Sequence, residues 1–307
     1  MRITNRMTLD QSLLTIERRS ERFERVSREA TTGKRVERAS DDPSASARIL
    51  KLRTGLARTL QFQRNVDTAR MRLGHAELSL QRATDQLDEI RSFAVQASTG
   101  TWSDEDRVLL AQEIDQQLES LLSEGNRRFL GHSLYAGSQV DQPVFEAVRG
   151  EGGRITLVTA TADAQQGRVM VQLSENESLQ VNFRGVDVFM GGEPGSTGDI
   201  FDALIALRDG LLAGDEDASG VVLGRIDAAI ETINGARSAL GTRVQRVEDV
   251  ETQLFSREEI LTENLSDQED ADLADTMMRY TLEQTGYQAA LSSISRRLGT
   301  SLLDFLR

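Results

Sequence analysis

The side chains in this sequence that could perform acid–base or metal chemistry are few and widely spaced. The two histidines, His75 and His132, fall in different predicted elements, and neither has a carboxylate or nucleophile at the spacing of a catalytic or zinc motif. The chain has no cysteine, so thiolate catalysis, disulfides and cysteine-ligated metals are excluded. We therefore interpret the histidines as packing or surface residues, and the sequence predicts no enzyme activity, no cofactor and no metal site.

The acidic stretch DEDASGVVLGRI begins like a calcium-binding loop. Asp215, Asp217, Ser219 and Gly220 stand at positions 1, 3, 5 and 6 of that motif. Position 12, where the motif needs a bidentate glutamate, is Ile226. We therefore interpret the stretch as an acidic, solvated loop between helices, and keep calcium binding as the weaker alternative.

Charge is unevenly distributed along the chain. Residues 1–72 hold 17 lysines and arginines against 9 acidic residues, whereas residues 248–275 hold 11 acidic residues and one arginine. We expect these segments to attract each other, within one chain or between neighbouring copies. Nucleic-acid binding is disfavoured, because five glutamates alternate with the arginines of IERRSERFERVSREATTGKRVER and compensate much of their charge.

The composition favours an elongated helical protein that makes no contact with a membrane. Aromatic residues are only 5% of the chain while charged residues are 28%, which is lean for a single compact globule. No segment approaches the run of about eighteen apolar residues that a membrane span needs. The first residues, MRITNRMTLDQSLL, lack the apolar core of a cleavable secretion signal, so we expect none.

A helix start is predicted at the first proline. Ser40, Asp41 and Asp42 can cap a helix whose first turn accepts Pro43, because the missing N–H of proline has no intrahelical partner there. Apolar residues then recur at helical spacing to about Ala97, and the stretch STGTWSDED breaks this helix and caps a second one. The sequence thus predicts two long helices, which we expect to pack side by side.

The hydrophobic period changes after Pro143. The stretches RITLVTATA, GRVMVQL and SLQVNF alternate or are rich in β-branched residues, and glycines separate them. Pro194 closes this region, and from Ile200 to Arg307 there is no proline and the helical period returns. The pattern predicts a small β insertion flanked by helices.

Both chain ends carry apolar residues at the alternating spacing of four and three that is typical of a coiled-coil seam. We expect these residues to form a self-assembly interface. The N-terminal seam holds Leu9, Leu13, Ile16 and Phe23, and the C-terminal one holds Leu273, Met277, Tyr280, Tyr287, Leu291, Ile294 and Leu298, followed by Leu302, Leu303 and Phe305 after a shift in register.

Both seams are diluted, because Ser20, Ser27 and Gln284 occupy seam positions and Gly286 lies inside the last helix. Such helices bury too little to offset the entropy of ordering them. The sequence therefore predicts that both ends are disordered in the monomer and become ordered when several subunits pack together. The alternative is an ordinary helical hairpin within one chain.

The residues resemble a known family at both ends of the chain. The segments GKRVERASDDPSASARILKLRTGL and NVDTARMRLGHAELSLQRATDQLDEIRSFAVQASTG are similar to the N-terminal region of the flagellin family, and DLADTMMRYTLEQTGYQAALSSISRRLGTSLLDFLR is similar to its C-terminus. The sequence SDDP stands where filament members tend to have a DDAAG-like sequence, and FLGHSLYAGSQVDQPVF precedes the small β insert. These features resemble the members that join the flagellar hook to the filament.

The resemblance implies an extracellular structural protein of the bacterial flagellum, exported unfolded by the flagellar type III apparatus. It implies a homo-oligomeric ring, with the first junction protein of the hook on one side, flagellin on the other, and an export chaperone. The implied fold is mainly α, an elongated flagellin-like coiled coil or bundle built from both chain ends. Its expected domains are an assembly domain (1–42 and 268–307), a helical rod (43–142 and 196–267) and a β domain (143–195).

Two other functions stay open on the sequence. A filament flagellin shares the same terminal signatures. A regulatory or adhesive coiled-coil protein could use the β insertion as its binding head. Location separates the last hypothesis from the others, because a flagellar protein is recovered with sheared flagella and an adhesive or regulatory protein with the cells.

Overall fold

The computed structural model describes residues 5–98, 102–137, 142–161 and 167–305. Within these ranges the chain forms seven helices and six short strands. The helices are α1 (Asn5–Thr32), α2 (Pro43–Ala97), α3 (Asp104–Gly125), α4 (Gly185–Phe189), α5 (Ile200–Ala213), α6 (Glu216–Glu269) and α7 (Leu273–Phe305). The strands are β1 (Arg128–Phe129), β2 (His132–Ser133), β3 (Phe145–Arg149), β4 (Ile155–Ala160), β5 (Met170–Gln172) and β6 (Ser178–Gln180).

The predicted fold class is confirmed: the chain is mainly helical, and most of its strands lie in the predicted β insertion. The strands pair as three antiparallel hairpins, β1 with β2, β3 with β4 and β5 with β6. In the longest hairpin Phe145 lies opposite Ala160, and the register shifts between Val148 and Arg149. The two longer hairpins follow Pro143 as predicted, but α3 already ends at Gly125 and the hairpin of β1 with β2 precedes Pro143, so the change from helix to strand begins earlier than predicted.

Contacts within the chain divide it into two compact units. Unit 1 consists of residues 1–59 and 256–307, and unit 2 consists of residues 60–255. Helices α2 and α6 contribute residues to both units, because each of them crosses one of the boundaries. Unit 1 thus combines the two chain ends, while unit 2 holds the middle of the chain.

Unit 2 has a continuous apolar core centred on aromatic rings. Phe145 lies edge-on to Phe201, with ring centroids 5.0 Å apart, and Phe189 packs edge-on against Tyr135 at 5.1 Å. All four rings are buried. A side chain on Gly185 would lie within 3 Å of the Phe145 ring, so glycine at this position makes room for the cluster. The core is therefore closely packed within one chain.

The β insertion shares this core with the helices. Val158 of β4 and Val181 after β6 are buried in the same apolar cluster as Leu118 of α3 and Leu204 of α5. The fully buried Asn182 ties the insertion further, because its amide donates to the carbonyl of Ala136 and accepts from the N–H of residue 169. The insertion is thus continuous with the helical core of unit 2.

Helix ends in the middle of the chain follow local signals in most places. The predicted break after Ala97 is confirmed, and Ser103 caps α3 by accepting a hydrogen bond from the N–H of Asp106. One prediction was wrong. The stretch that begins at Asp215 is not a loop, since α6 starts at Glu216; Ile226 on this helix is buried, and core packing extends the helix through the acidic residues.

The sequence also gave no warning of a break near the end of the chain. Helix α6 ends at Glu269 and α7 begins at Leu273, within a proline-free region for which the sequence indicated helical periodicity. The carboxylate of Asp272 accepts hydrogen bonds from the N–H groups of Ala274 and Asp275, which is the geometry of an N-cap. A single capping aspartate therefore restarts the last helix.

Candidate functional site

The two terminal helices pair with each other in an antiparallel arrangement in unit 1. The Phe23 ring of α1 stacks on Tyr287 of α7, with centroids 5.9 Å apart, and is tilted against Tyr280 at 5.4 Å. Six residues further along α1, the carboxylate of Glu29 lies 3.1 Å from the guanidinium of Arg279 on α7. The structure thus brings together three of the predicted seam residues, Phe23, Tyr280 and Tyr287.

Gly286 in α7 lies beside Arg19 of α1. A side chain at this position would collide with the guanidinium of Arg19 on α1. From the sequence alone, Gly286 only weakens a helix. In the structure the guanidinium of Arg19 lies across α7 at this position, but it is the far end of a flexible side chain that could move aside for a larger residue.

Burial along the pair is incomplete. Phe23, Tyr280 and Tyr287 are half-buried although their rings contact each other across the pair, and Ile16 and Ile294 are also half-buried. Other predicted seam residues are largely exposed, and we call them the terminal stripe: Leu13 (52% exposed), Leu273 (59%), Met277 (46%) and Leu291 (43%). Packing α1 on α7 therefore leaves much of the predicted seam open to solvent.

Helix α7 also exposes apolar side chains away from this stripe. Met278 and Leu282 are 65% and 71% exposed. At 100° per residue they lie on the side of the helix roughly opposite Leu273. A single neighbour on one side of α7 cannot cover both surfaces, so full burial of this helix requires contacts on two sides.

The remaining predicted seam residues cannot be placed in this way. The side chains of Leu9, Leu298, Leu302, Leu303 and Phe305 lie outside the part of the chain whose side chains the structure describes. Their backbone belongs to α1 or α7. Their role in assembly stays a prediction.

A buried carboxylate links the segment that follows the end of α1 to the segment that precedes the start of α7. The carboxylate of Glu269 is only 5% exposed and binds both Lys34 and Arg53, the latter at 2.7 Å. The backbone carbonyl of Glu269 accepts a hydrogen bond from the N–H of Arg35 at 2.8 Å. The N–H of Ala271 donates to the backbone carbonyl of residue 33 at 2.9 Å. We call this cluster the Glu269 clamp.

Burial and the two cations of the Glu269 clamp act on the pKa of Glu269 in opposite directions. Burial alone would raise the pKa of Glu269, but hydrogen bonds from Lys34 and Arg53 outweigh that effect and lower the pKa below its usual value. The carboxylate therefore stays ionised at neutral pH. Sequence reasoning missed this residue, because Glu269 is one of 11 acids between residues 248 and 275 and nothing in the pattern separates it from the others.

The predicted helix-start motif surrounds the beginning of α2. Helix α2 starts at Pro43, and the Asp42 carboxylate accepts hydrogen bonds from the N–H of Ala45 at 2.9 Å and of residue 44 at 3.0 Å. Asp41 instead turns back and accepts the N–H of Arg38 at 2.9 Å. Ser40 is exposed in the turn that precedes them. Capping thus rests on Asp42, while Asp41 holds the preceding turn.

Both carboxylates are held in their charged form. The hydrogen bond from the N–H of Ala45 is the largest cause that lowers the pKa of Asp42, and that from Arg38 lowers the pKa of Asp41. The motif therefore fixes the bend between α1 and α2, at the base of the terminal helix pair, by bonds to the backbone.

Of the two histidines, His75 packs against an aromatic ring. The His75 ring lies 4.7 Å from the ring of Phe129, in a tilted contact. Among the described residues, no three histidines, aspartates or glutamates lie close enough together to hold a metal ion. In the same part of the chain, none of the helices has a stretch both long and apolar enough to traverse a lipid bilayer. The candidate functional site is the surface of the terminal helices, where exposed apolar residues lie beside the ring contacts of α1 with α7.

Comparison with known proteins identifies the two chain ends. The family model of the bacterial flagellin N-terminal helical region matches residues 3–139, and that of the bacterial flagellin C-terminal helical region matches residues 223–306. Flagellar hook-associated protein 3 of Escherichia coli is 24% identical, with 99% of each chain covered. Flagellin FlaB1 of Treponema pallidum is 28% identical, with 90% of each chain covered.

Solved structures give the same fold. The flagellar junction protein FlgL from Legionella pneumophila is similar over 72% of this chain and 99% of its own, with a TM-score of 0.58 and 17% identity. At that identity the likeness shows the fold alone.

Proposed function

The chain belongs to the flagellin family, and from this premise we propose that it forms the junction between the hook and the filament of a bacterial flagellum. It is a structural component of the flagellum, as its relatives are. The end-to-end match to a hook-associated protein 3 supports the position at the junction, because both chains align along nearly their whole length.

The observation that carries the proposed function is the terminal stripe. Leu13, Leu273, Met277 and Leu291 stay exposed although they continue the interface between α1 and α7. Apolar surface of this kind, lined up along a helix pair, is typical of a binding surface. We assign it to self-assembly: the terminal helices of neighbouring subunits cover the stripe, and the ends become ordered only as this burial occurs.

The proposed neighbours follow from the position. A homo-oligomeric ring of this chain contacts the first junction protein of the hook on one side and flagellin on the other. Before assembly the chain passes unfolded through the flagellar type III apparatus to the outside of the cell. The absence of cysteine supports that route, because no disulfide has to be reduced before unfolding. An export chaperone covers the apolar residues of α7 until then.

Deletion of the coding gene in the source bacterium tests the proposal. We expect hooks without filaments, and flagellin shed unpolymerised into the medium. Expression of the intact chain from a plasmid should restore filaments and swimming, and the protein should be recovered with sheared flagella. Intact filaments in the deletion strain would overturn the proposal.

A filament subunit is the second candidate, favoured by the similarity to the flagellin of Treponema pallidum. The same deletion separates the two functions. A strain that lacks its filament subunit has no flagellin of this type to shed, whereas a strain that lacks its junction protein still secretes flagellin.

A further inference from the structure

Unit 2 contains an open pocket where the β insertion meets helix α6. Residues between 180 and 188, from the end of β6 into α4, line one part of it. Residues of α6 between 232 and 243 line another part, together with Gly167 and Arg168. The volume of about 660 Å³ is within the range of about 300–1,000 Å³ that is typical of ligand pockets. We call it the Arg243 pocket.

The lining of the Arg243 pocket carries more positive than negative charge. It holds three arginines, Arg168, Arg184 and Arg243, and one carboxylate, that of Asp187. Arg184 binds Asp187 through two hydrogen bonds of 2.7 and 2.6 Å, so the charges of this pair cancel. Among the described residues of the lining, Arg168 and Arg243 are left without a carboxylate. The pocket is therefore a positive site on a chain whose net charge is −13.

Arg243 is held in place by neighbours that do not neutralise it. Its guanidinium lies 4.0 Å from the centre of the Phe183 ring, and its Nη1 donates to the backbone carbonyl of Asn182 at 2.9 Å. Burial lowers the pKa of Arg243, and no carboxylate offsets that effect within the part of the chain that the structure describes. The side chain still stays charged at neutral pH. A fixed, partly buried guanidinium is thus available to an anion.

Arg168 is the more accessible of the two cations. Its side chain is exposed just before β5, and it forms no ion pair with another described residue. Two arginines that line one cavity attract an anion more strongly than either does alone, because their potentials add in a partly enclosed site.

The rest of the lining favours an anion that carries carbon atoms. Phe183 and Val188 are buried residues of the insertion, and Ala236 and Ala239 contribute methyl groups from α6. A bare inorganic ion would contact the arginines and leave these apolar side chains uncovered. A carboxylate on a short carbon skeleton matches both parts of the lining.

We propose that the Arg243 pocket binds a carboxylate carried on a short carbon skeleton, with Arg243 donating to the carboxylate oxygens. Arg168 adds a second charged contact, and the carbon skeleton lies against Val188 and Ala236. Two sources share this chemistry: a free organic acid in the medium, and a glutamate or aspartate side chain of a neighbouring subunit. The inference is independent of the proposed function for the first source and rests on it for the second.

Titration of the soluble chain with glutarate tests the pocket, because glutarate is a free acid similar in size to a glutamate side chain. Calorimetry should show saturable one-to-one binding that weakens as salt is added. The uncharged diamide of the same acid should bind more weakly by about tenfold or more. Arg243→Gln should weaken glutarate binding by about tenfold or more, because it removes the fixed cation.

Arg246→Gln is the matched control, since Arg246 lies on the next turn of α6, is exposed and binds Glu177 outside the pocket. It should bind glutarate like the natural chain. Arg243→Gln also loses the hydrogen bond to Asn182, so thermal unfolding has to show that this variant is folded. Arg168→Gln provides an independent reading, because Arg168 is exposed and its replacement breaks no described ion pair. It should weaken glutarate binding several-fold.

The inference is overturned if no saturable binding occurs, if glutarate and its diamide bind equally, or if Arg168→Gln and a folded Arg243→Gln both bind glutarate like the natural chain. Asp163→Asn covers one further outcome, since Asp163 is the acidic residue nearest to Arg168 in the sequence. Glutarate binding by that variant alone would mean that a carboxylate of the same chain occupies the pocket, which also overturns the inference.

Assembled flagella distinguish the two sources once glutarate binding is established. The deletion strain would be complemented with the Arg243→Gln chain or the Arg168→Gln chain. If a neighbouring subunit supplies the carboxylate, blots of sheared flagella should show less of both variants than of the Arg246→Gln chain. Equal amounts identify a free organic acid as the source. The natural chain restores filaments in either case, so failure of this inference is distinct from failure of the proposed function.

Discussion

Two phenylalanines show how differently the two units are built. Phe201 in unit 2 is buried and lies against Phe145 and Phe189 within one chain. Phe23 in unit 1 also contacts two aromatic rings, Tyr280 and Tyr287, yet it remains half-buried. The middle of the chain completes its own core. The ends form the expected aromatic pairs but not a closed core, and this difference supports the proposal that neighbouring subunits complete their burial.

The largest expected effect is a loss of assembly that leaves the stability of the soluble chain unchanged. In the Leu291→Asp plus Ile294→Asp variant, two charges enter the apolar surface that we propose neighbouring subunits cover. We expect no incorporation into flagella, because a buried unpaired carboxylate is strongly unfavourable. The melting temperature of the soluble protein should hardly change, since unit 2 determines it. Blots of sheared flagella and thermal unfolding measure the two effects.

The matched control for this variant is Leu157→Asp in unit 2, where Leu157 is also about half exposed. It should leave incorporation intact. A large loss of melting temperature from the α7 variant would mean that the terminal seam already closes within one chain.

The next effect compares the two phenylalanines directly. Phe201→Ala should lower the free energy of unfolding of the soluble protein by about 3–5 kcal/mol, because it leaves a cavity in a packed core. Phe23→Ala should cost about 1 kcal/mol or less in the same denaturant titration, since its ring is only partly buried in the soluble chain. Equal losses would remove the distinction between the units.

A smaller effect concerns the Glu269 clamp. Glu269→Gln should destabilise unit 1 by about 1–2 kcal/mol at neutral pH, because Lys34 and Arg53 lose their charged partner. The effect stays this small because both cations are substantially exposed and solvent screens their charge. The lowered pKa of Glu269 stabilises the folded chain above the usual value of 4.5, and this contribution is lost as the pH falls through the folded-state pKa. The free energy of unfolding of the Glu269→Gln variant should therefore fall less on acidification than that of the natural chain.

Amide exchange of the last turns of α6 and the first turns of α2, compared at neutral and acidic pH, measures the clamp. Glu259→Gln is the control on the same helix, since Glu259 is exposed. If both variants respond to pH like the natural chain, the clamp does not stabilise unit 1.

Much of this architecture could be predicted from sequence where a local signal exists. Pro43 after Asp42 marks the start of α2, and Ser103 marks that of α3, because caps act over three residues. The change of period after Pro143 locates two of the three β hairpins, whereas the hairpin of β1 with β2 lies before it. The spacing of four and three also identifies Phe23, Tyr280 and Tyr287 as facing residues.

The rest depends on contacts between distant residues. Glu269 joins Lys34 across most of the chain, and no sequence period links them. The break before Leu273 depends on one aspartate in a segment full of acids. The stretch after Asp215 is helical because Ile226 is buried in a core that the sequence does not reveal. Spacing predicts which residues face a partner; it cannot show how completely the partner covers them.

Amide hydrogen exchange on the soluble and the assembled protein tests the central claim most directly. The account predicts that α1 and α7 exchange rapidly in the soluble chain while α3 and α5 are protected, and that all four helices are protected in assembled flagella. Protection of α1 and α7 in the soluble chain equal to that of α3 and α5 would contradict it, because the terminal seams would then be closed before any neighbour arrives.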